Sequence, residues 1–420
     1  MIAPSPSAAG AKPASPLADP LFRTLWLAWL AGNMTMWMHD VTAAWSMSQL
    51  SDSPTMVALV QAAASLPLFL LGLPSGALAD MLNRQRFYAF AQGWIAVVAI
   101  ALAVLAATDR LTAPWLLLFS LINGIGLALR FPVFSALVGD TVSREQLPAA
   151  LTLNALAINL TRVVGPLVAG VLMASFGTAT VFTLNAVMSA LACLLILRAP
   201  IGPVPVRVRN PQLLAAMAEG LRFTARSPML RAILLRAFIF FLQSIGLIAL
   251  LPLLARQIGA DATTYTALLA SMGVGAVLAA LTLPRLPGMA ARDRIFCVGV
   301  LLYSAATVIA VFSPNLWTLA PALALSGAVW LCVVNSLTMS VQLVLPTALR
   351  ARGMAIYQMS IMGGSAAGAA LWGSVASHSS VAASLLASAG LALLLLLLTR
   401  HVSLEAKPAA TAQKSDRQQG

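Results

Sequence analysis

Apolar residues run along this chain in long blocks, not in the alternating or three-and-four spacing of a soluble fold. Each block holds about 20 or more residues, the length that crosses a bilayer as a helix. Twelve such spans are predicted, near 24–48, 55–79, 87–108, 114–138, 149–175, 179–198, 232–255, 263–283, 294–312, 316–345, 353–376 and 381–399. Most connections are short and carry turn formers, such as SDSP at 51–54 and SPN at 313–315. One is longer. Residues 199–231 hold Pro200, Pro203, Pro205, Pro211 and several arginines, and they divide the spans six and six.

Composition agrees with the pattern. Hydrophobic residues are 60 % of 420 positions and charged residues only 9 %, with a mean hydropathy of +0.91. Soluble domains are about half apolar. The net charge of +13 would suggest nucleic acid in a soluble chain, but in a polytopic one positive charge gathers in cytoplasmic loops. With both tails cytoplasmic, Arg84, Arg86, Arg144, Arg198, Arg207, Arg209, Arg222, Arg226, Arg231, Arg285, Arg292, Arg294, Arg350 and Arg352 fall inside, and only Arg110 and Arg256 outside. Trp26, Trp29 and Trp45 are then expected at the interfaces as anchors. Residues 1–21 and 401–420 read as disordered cytoplasmic tails, the first without the basic-then-apolar order of a secretory signal. The predicted domains are six-helix bundles at 22–198 and 232–400, joined by the cytoplasmic linker 199–231. Cys193, Cys297 and Cys332 stand alone in apolar blocks and read as small core residues.

A weak internal repeat supports two related halves. NLTRVVGPLVAG from Asn159 and YQMSIMGGSAAG from Tyr357 superpose Gly165 on Gly363 and Gly170 on Gly368. Both belong to the fifth span of their half, so the repeat is parallel, about an axis along the membrane normal.

The stretch GALADMLNRQRF, residues 76–87, gathers an acid and two bases in the turn after the second span. Gly76, Asp80, Arg84 and Arg86 resemble the loop motif of the major facilitator superfamily; Met81 stands where a basic residue is usual and Asn83 where glycine is common. Three further segments, REQLPAALTLNALAINLTRVVGPLVAG (144–170), FGTATVFTLNAV (176–187) and LRARGMAIYQMSIMGGSAAGAALWG (349–373), resemble the enterobactin-exporter and efflux branch of that superfamily. Gly165, Pro166 and Gly170 resemble its exporter-associated motif. The resemblance implies an all-α membrane protein with the major facilitator fold, twelve transmembrane helices in two parallel-repeat six-helix bundles. It also implies a gate latch. Gly76 would let neighbouring helices approach, Asp80 would meet the start of the eleventh span near Arg352 and Gly353, and Arg84 and Arg86 would pair with Asp140 or Glu145. Charges that merely orient the chain are the competing reading.

Ionisable groups at membrane depth are expensive and are functional candidates by default. Three qualify: Asp40, Arg130 and Arg162. Asp40 is a proton-coupling candidate; an ion pair with Arg162 or a reach to outer water would also explain it. His39, the adjacent residue, cannot fully share its helix face. Arg130, two residues before Pro132, can offer paired donors to an anionic substrate or snorkel to the inner headgroups. Arg162 either faces a cavity, as a second proton-coupling candidate, or orders the junction of the halves. Arg236 is expected to snorkel. Asn33, Gln61, Gln243, Asn335 and Gln358 are amides that suit a substrate cavity, and Met34, Met36, Met38, Met359, Met362, Phe238, Phe240 and Phe241 supply soft and aromatic surface. Helix packing would use the same residues.

No phosphate-binding GxxxxGK[ST] loop is present and the three histidines do not cluster, so neither ATP, a cofactor nor a metal site is expected. The expected protein is a bacterial inner-membrane secondary transporter, not an enzyme. It is expected to export a small amphiphilic, siderophore-like or drug-like compound against protons, as a monomer. Uptake of an anionic metabolite anchored by Arg130 is the alternative. A non-transporting scramblase or sensor is the reading from another class.

Overall fold

The computed structural model describes residues 15–143, 145–200, 221–282, 292–346 and 349–399, with some side chains inside the helices excepted, Asp80 among them. Twelve long helices fill these segments. They are α1 (Pro20–Leu50), α2 (Pro54–Met81), α3 (Arg84–Ala107), α4 (Ala113–Thr141), α5 (Leu147–Phe176) and α6 (Thr178–Arg198), then α7 (Pro228–Gln257), α8 (Ala262–Thr282), α9 (Arg292–Val311), α10 (Leu316–Val344), α11 (Arg350–His378) and α12 (Val381–Thr399). Each coincides with one predicted span and most run a few residues past it. Most of the 199–231 linker, residues 1–14 of the first predicted tail and the whole of the 401–420 tail lie outside the described residues.

Local chemistry sets the ends. Asp19, Asn83, Ser227 and Asn315 each accept a hydrogen bond from a backbone N–H of the first turn of α1, α3, α7 and α10. Pro20, Pro54 and Pro228 occupy first helical positions, where a missing N–H costs nothing. Gly177 alone separates α5 from α6, at φ +80°, a conformation glycine adopts without a Cβ clash.

Ten of the helices are long and apolar enough to cross a membrane by length and composition alone. The two that are not, α1 and α11, carry polar residues that neighbouring helices cover. Asn33, His39 and Thr42 of α1 are buried, and α11 lies between α2 and α7. Outward faces are oily instead, with Val97 and Leu398 each 66 % exposed, as expected where the solvent is lipid.

Helix pairing repeats with a shift of six. The pairs α1·α5, α1·α6, α2·α4, α3·α4 and α3·α6 recur as α7·α11, α7·α12, α8·α10, α9·α10 and α9·α12. Contacts between the halves run chiefly through α2·α11 and α5·α8, with α1 and α2 also touching α7. The alternating direction of the helices gives the bundle two ends, here the tail end (where α1 begins) and the far end.

The apolar core is divided unevenly between those ends. Far-end residues of the first half, including Trp45, Ala58, Leu102 and Met173, share one cluster with the second half. Tail-end residues of the first half, including Phe22, Trp29, Phe134 and Ile196, form a separate cluster that no described residue of the second half joins. Among the described residues the apolar core is thus continuous between the halves at the far end and not at the tail end, where Met359 of α11 still comes within 3.6 Å of a Cβ position at Gly72 of α2.

Candidate functional site: the junction of the halves

The far-end seal is built from both halves. Trp45 of α1 stacks on Tyr265 of α8 with ring centroids 5.2 Å apart. The hydroxyls of Thr55 (α2) and Ser377 (α11) lie 2.7 Å apart, and Thr55 Oγ1 donates to the Gly373 carbonyl at 3.2 Å. Arg256, at the end of α7, donates to the Ser48 carbonyl and stands 3.6 Å from Asp52. A Cβ on Gly170 of α5 would overlap the Thr266 side chain of α8.

Asp40 lies within this junction. Trp45 is five residues further along α1, about 7 Å nearer the far end. Oδ1 of Asp40 is buried without a hydrogen-bond partner, and the residue lies within electrostatic range of Tyr265 of the second half. His39 turns the other way, its ring 5.9 Å from that of Phe182 on α6, within the first half. The adjacent pair therefore face different halves, as their angular separation requires. No Asp40–Arg162 ion pair forms among the described residues, and Asp40 Oδ1 and Arg162 Nε are buried without a hydrogen-bond partner.

Arg162 spans the junction by stacking. Its guanidinium carbon sits 5.3 Å from the ring centre of Trp37 on α1 and 5.0 Å from that of Trp330 on α10. Trp330 in turn meets Phe241 of α7 edge to face at 5.8 Å. Gly165 makes room for this arrangement, because a Cβ there would come within 2.7 Å of Trp37 Cβ. Pro166 is buried on the same helix. The paired glycines of the internal repeat divide the work in opposite order. Gly165 abuts α1 of its own half and Gly170 abuts α8, whereas Gly363 abuts Phe69 of α2 and Gly368 abuts α7.

Arg130 stands elsewhere. It is fully buried, and its recorded neighbours, Trp29, Gly32, Tyr88 and Phe131, all belong to the first half. It does not snorkel. Arg236 overturns the same expectation, at 2 % exposure, paired with Asp293 of α9 and lying 5.0 Å over the Phe296 ring. A local acid on a facing helix removed the need to reach the headgroups. Two of the expected interfacial tryptophans are likewise interior. Trp29 stacks on Phe134 at 3.9 Å and Trp45 on Tyr265, because both face helices and not lipid. The three cysteines are half-buried.

The amides do not converge. Asn33 is buried and donates to the Trp29 carbonyl of its own helix. Gln243 donates to Ser304 at 3.3 Å inside the second half. Gln61 is half-buried, and Asn335 and Gln358 are exposed. In the turn after α2, Arg84 pairs with Asp140 at 2.6 Å, one of the expected partners, while Arg86 is exposed. Among the described residues nothing lies within 4 Å of a Cβ position at Gly76, so the expected close helix approach is not seen there. The Asp80 side chain lies outside the described residues, and its latch with it. Sequence reasoning did not find Trp37, Trp330, Tyr265 or Asp293. The only signal was the placement of Trp37 three residues before Asp40, on one helix face.

Residues 11–419 match the family model described as "Transmembrane secretion effector". The chain belongs to this family of the major facilitator superfamily. Curated relatives include the enterobactin exporter EntS of Shigella boydii serotype 18, 27 % identical over 405 residues, with 94 % of this chain and 96 % of the relative covered. The enterobactin exporter EntS of Escherichia coli O9:H4 is 28 % identical over 406 residues, with the same coverage. Among solved structures, a mutant form of the nucleoside transporter NupG aligns with TM-score 0.76 at 14 % identity, covering 91 % of this chain and 99 % of its own. A bacterial homologue of the human lysosomal transporter Spinster, inward-facing and occupied, aligns with TM-score 0.74 at 16 % identity, covering 95 % and 100 %. These neighbours share the fold. The protein is thus a multi-pass membrane transporter of small molecules, and its chemistry is movement, not catalysis.

Proposed function

We propose that this transporter exports a small amphiphilic compound, siderophore-like or drug-like, from a bacterial cytoplasm across the inner membrane in exchange for protons. The observation that carries the reading is the uneven core. A transporter whose apolar core is continuous between the halves at the far end but divided at the tail end is placed to load cargo from the tail side. Loop arginines put that side in the cytoplasm, with both termini, the 199–231 linker and all twelve spans arranged accordingly, in a single working chain of two bundles at 22–198 and 232–400. The relatives' name supports the direction and the cargo class. Asp40 and Arg162 are the coupling candidates because both lie at the junction that must open. A carboxyl enclosed there is compatible with a closed seal when protonated, and its ionisation draws water and favours release to the outside. Uptake anchored on Arg130 loses its support, since that guanidinium is enclosed in one half.

The test uses full-length protein in vesicles with an imposed proton gradient, and enterobactin as the first cargo. Asp40→Asn should abolish gradient-driven accumulation while preserving exchange of labelled for unlabelled cargo across the membrane. Undiminished gradient-driven export in Asp40→Asn would remove the assignment.

A further inference from the structure

Arg130 and its surroundings pose a problem that transport across the junction does not absorb. The guanidinium is on α4, eleven residues before Thr141 at the tail end, which places it about 16 Å along the helix from that end. The residue is 0 % exposed, and none of Nε, Nη1 and Nη2 has a hydrogen-bond partner. An isolated charge in a dry interior is strongly disfavoured unless something compensates it. No carboxylate forms an ion pair with it among the described residues; the nearest stage of compensation is aromatic, the rings of Trp29 and Phe131 at 5.4 and 5.3 Å.

The groups around it are as unsatisfied as it is. Gln92 of α3 is fully buried with both amide atoms unpartnered, and the Tyr88 hydroxyl, one turn earlier on the same face, is buried and unpartnered too. Trp29 Nε1 of α1 completes the set. Arg130 and Gln92 converge on one spot beside Gly32, with the Trp29 ring against the guanidinium. A Cβ at position 32 would overlap Arg130 Nη1 and come within 3.3 Å of Gln92 Nε2, and the neutral Tyr88 phenol lies within electrostatic range of Arg130. Gly32, having no Cβ, lets the Arg130 guanidinium occupy that spot.

The inventory also has a sign. Guanidinium, indole and amide bring N–H donors, and the phenol adds an O–H; the acceptors in reach are few, and a full positive charge is uncancelled. Buried polar groups in folded proteins find partners, and a water can satisfy donors but cannot supply charge. We propose that Arg130, Gln92, Tyr88 and Trp29 form a binding site for a small inorganic anion of the charge and size of chloride, enclosed within the first six-helix bundle. The anion ties α1, α3 and α4 together on the tail side of the first half, so this bundle moves as one body. The inference does not depend on which cargo is carried or in which direction.

The experiment follows thermal unfolding of the purified full-length chain in detergent at constant ionic strength, replacing sodium gluconate by sodium chloride or sodium bromide. The unfolding midpoint is expected to rise saturably with chloride and bromide and not with gluconate, which is too large to enter. Arg130→Gln should abolish the dependence. Because that variant also alters the core and can fail to fold, Gln92→Leu and Tyr88→Phe are measured alongside; each retains the charge, removes a donor and should raise the half-saturating concentration at least tenfold. Equal midpoints in chloride and gluconate overturn the proposal. A saturable chloride effect unchanged in Gln92→Leu and Tyr88→Phe overturns it as well, since the anion would then bind elsewhere.

Discussion

Arg162 illustrates what a single residue can do between two bodies. A guanidinium sandwiched by Trp37 and Trp330 is held by two cation–π contacts, each worth about 0.5–2 kcal/mol according to its desolvation. Only the Trp330 contact crosses to the second half, so it is lost if the halves part at that level while the Trp37 contact stays within the first half. Arg162→Ala is therefore expected to shift the equilibrium between sealed and open far ends by roughly tenfold, since about 1.4 kcal/mol is a factor of ten. Spin labels placed across the tail end would report the shift as a change in distance populations; unchanged populations would deny the clamp. Arg162→Lys should recover part of the effect, because the ammonium keeps the charge but not the planar face. The sequence marked Asp40, Arg130 and Arg162 as costly charges at membrane depth; Arg130 is fully buried, while Asp40 and Arg162 are half-buried. It did not say what covers them. The residues that meet them, Tyr265, Gln92 and Trp330, are distant in the chain and carry no local signal.

At the scale of the helix, ends were more legible than faces. Asp261 precedes α8, and its Oδ1 accepts from the Thr264 amide at 2.8 Å. The Thr264 hydroxyl and amide hold this carboxyl below the ordinary carboxylate range. The sign follows: the folded-state value is depressed, so the cap contributes fully above the usual aspartate range and is lost as pH falls through the folded value. Asp261→Ala is expected to cost about 1 kcal/mol at neutral pH and less in acid. Unfolding midpoints of the two proteins measured at both pH values would check it; a gap independent of pH would contradict the cap. Faces are harder to read because a helix surrounded by lipid and protein is apolar all round. Arg236 was expected at the headgroups, yet α7 turns it inward onto Asp293. Where α8 crosses α10, Gly275 and Gly327 each lie against backbone of the other helix, such that a Cβ on either would overlap it. Close crossings of this kind depend on small residues, but no pattern in the sequence paired these two.

For the whole molecule, the consequence of the uneven core is mechanical. If the far-end seal must open for cargo to leave, tying it shut must stop transport. Thr55→Cys with Ser377→Cys places thiols where two hydroxyls now lie 2.7 Å apart, on α2 and α11, one from each half. Oxidation is expected to cross-link the pair and reduce export to background, and a reducing agent should restore it; export by the cross-linked protein at the unmodified rate would mean that the seal is not the exit. The glycine pairs of α5 and α11 add a second feature at this scale. They superpose in sequence, but each pair gives one glycine to its own half and one to the other, in opposite order. Duplicated sequence has been put to unlike contacts.

The sequence by itself determined the number and limits of the long helices, their likeness between halves, the superfamily and the places where charge enters the apolar blocks. Those properties follow from local forces: a bilayer's thickness, capping chemistry, and the cost of ions in an oily setting. Only the tertiary structure decided that the halves are fused at one end, that Arg162 bridges them while Arg130 is enclosed in one, and that Asp40 and His39 serve different neighbours. Such choices depend on how helices rotate and cross. In a chain apolar on nearly every face, rotation is set by packing between segments far apart in sequence, and no local pattern encodes it.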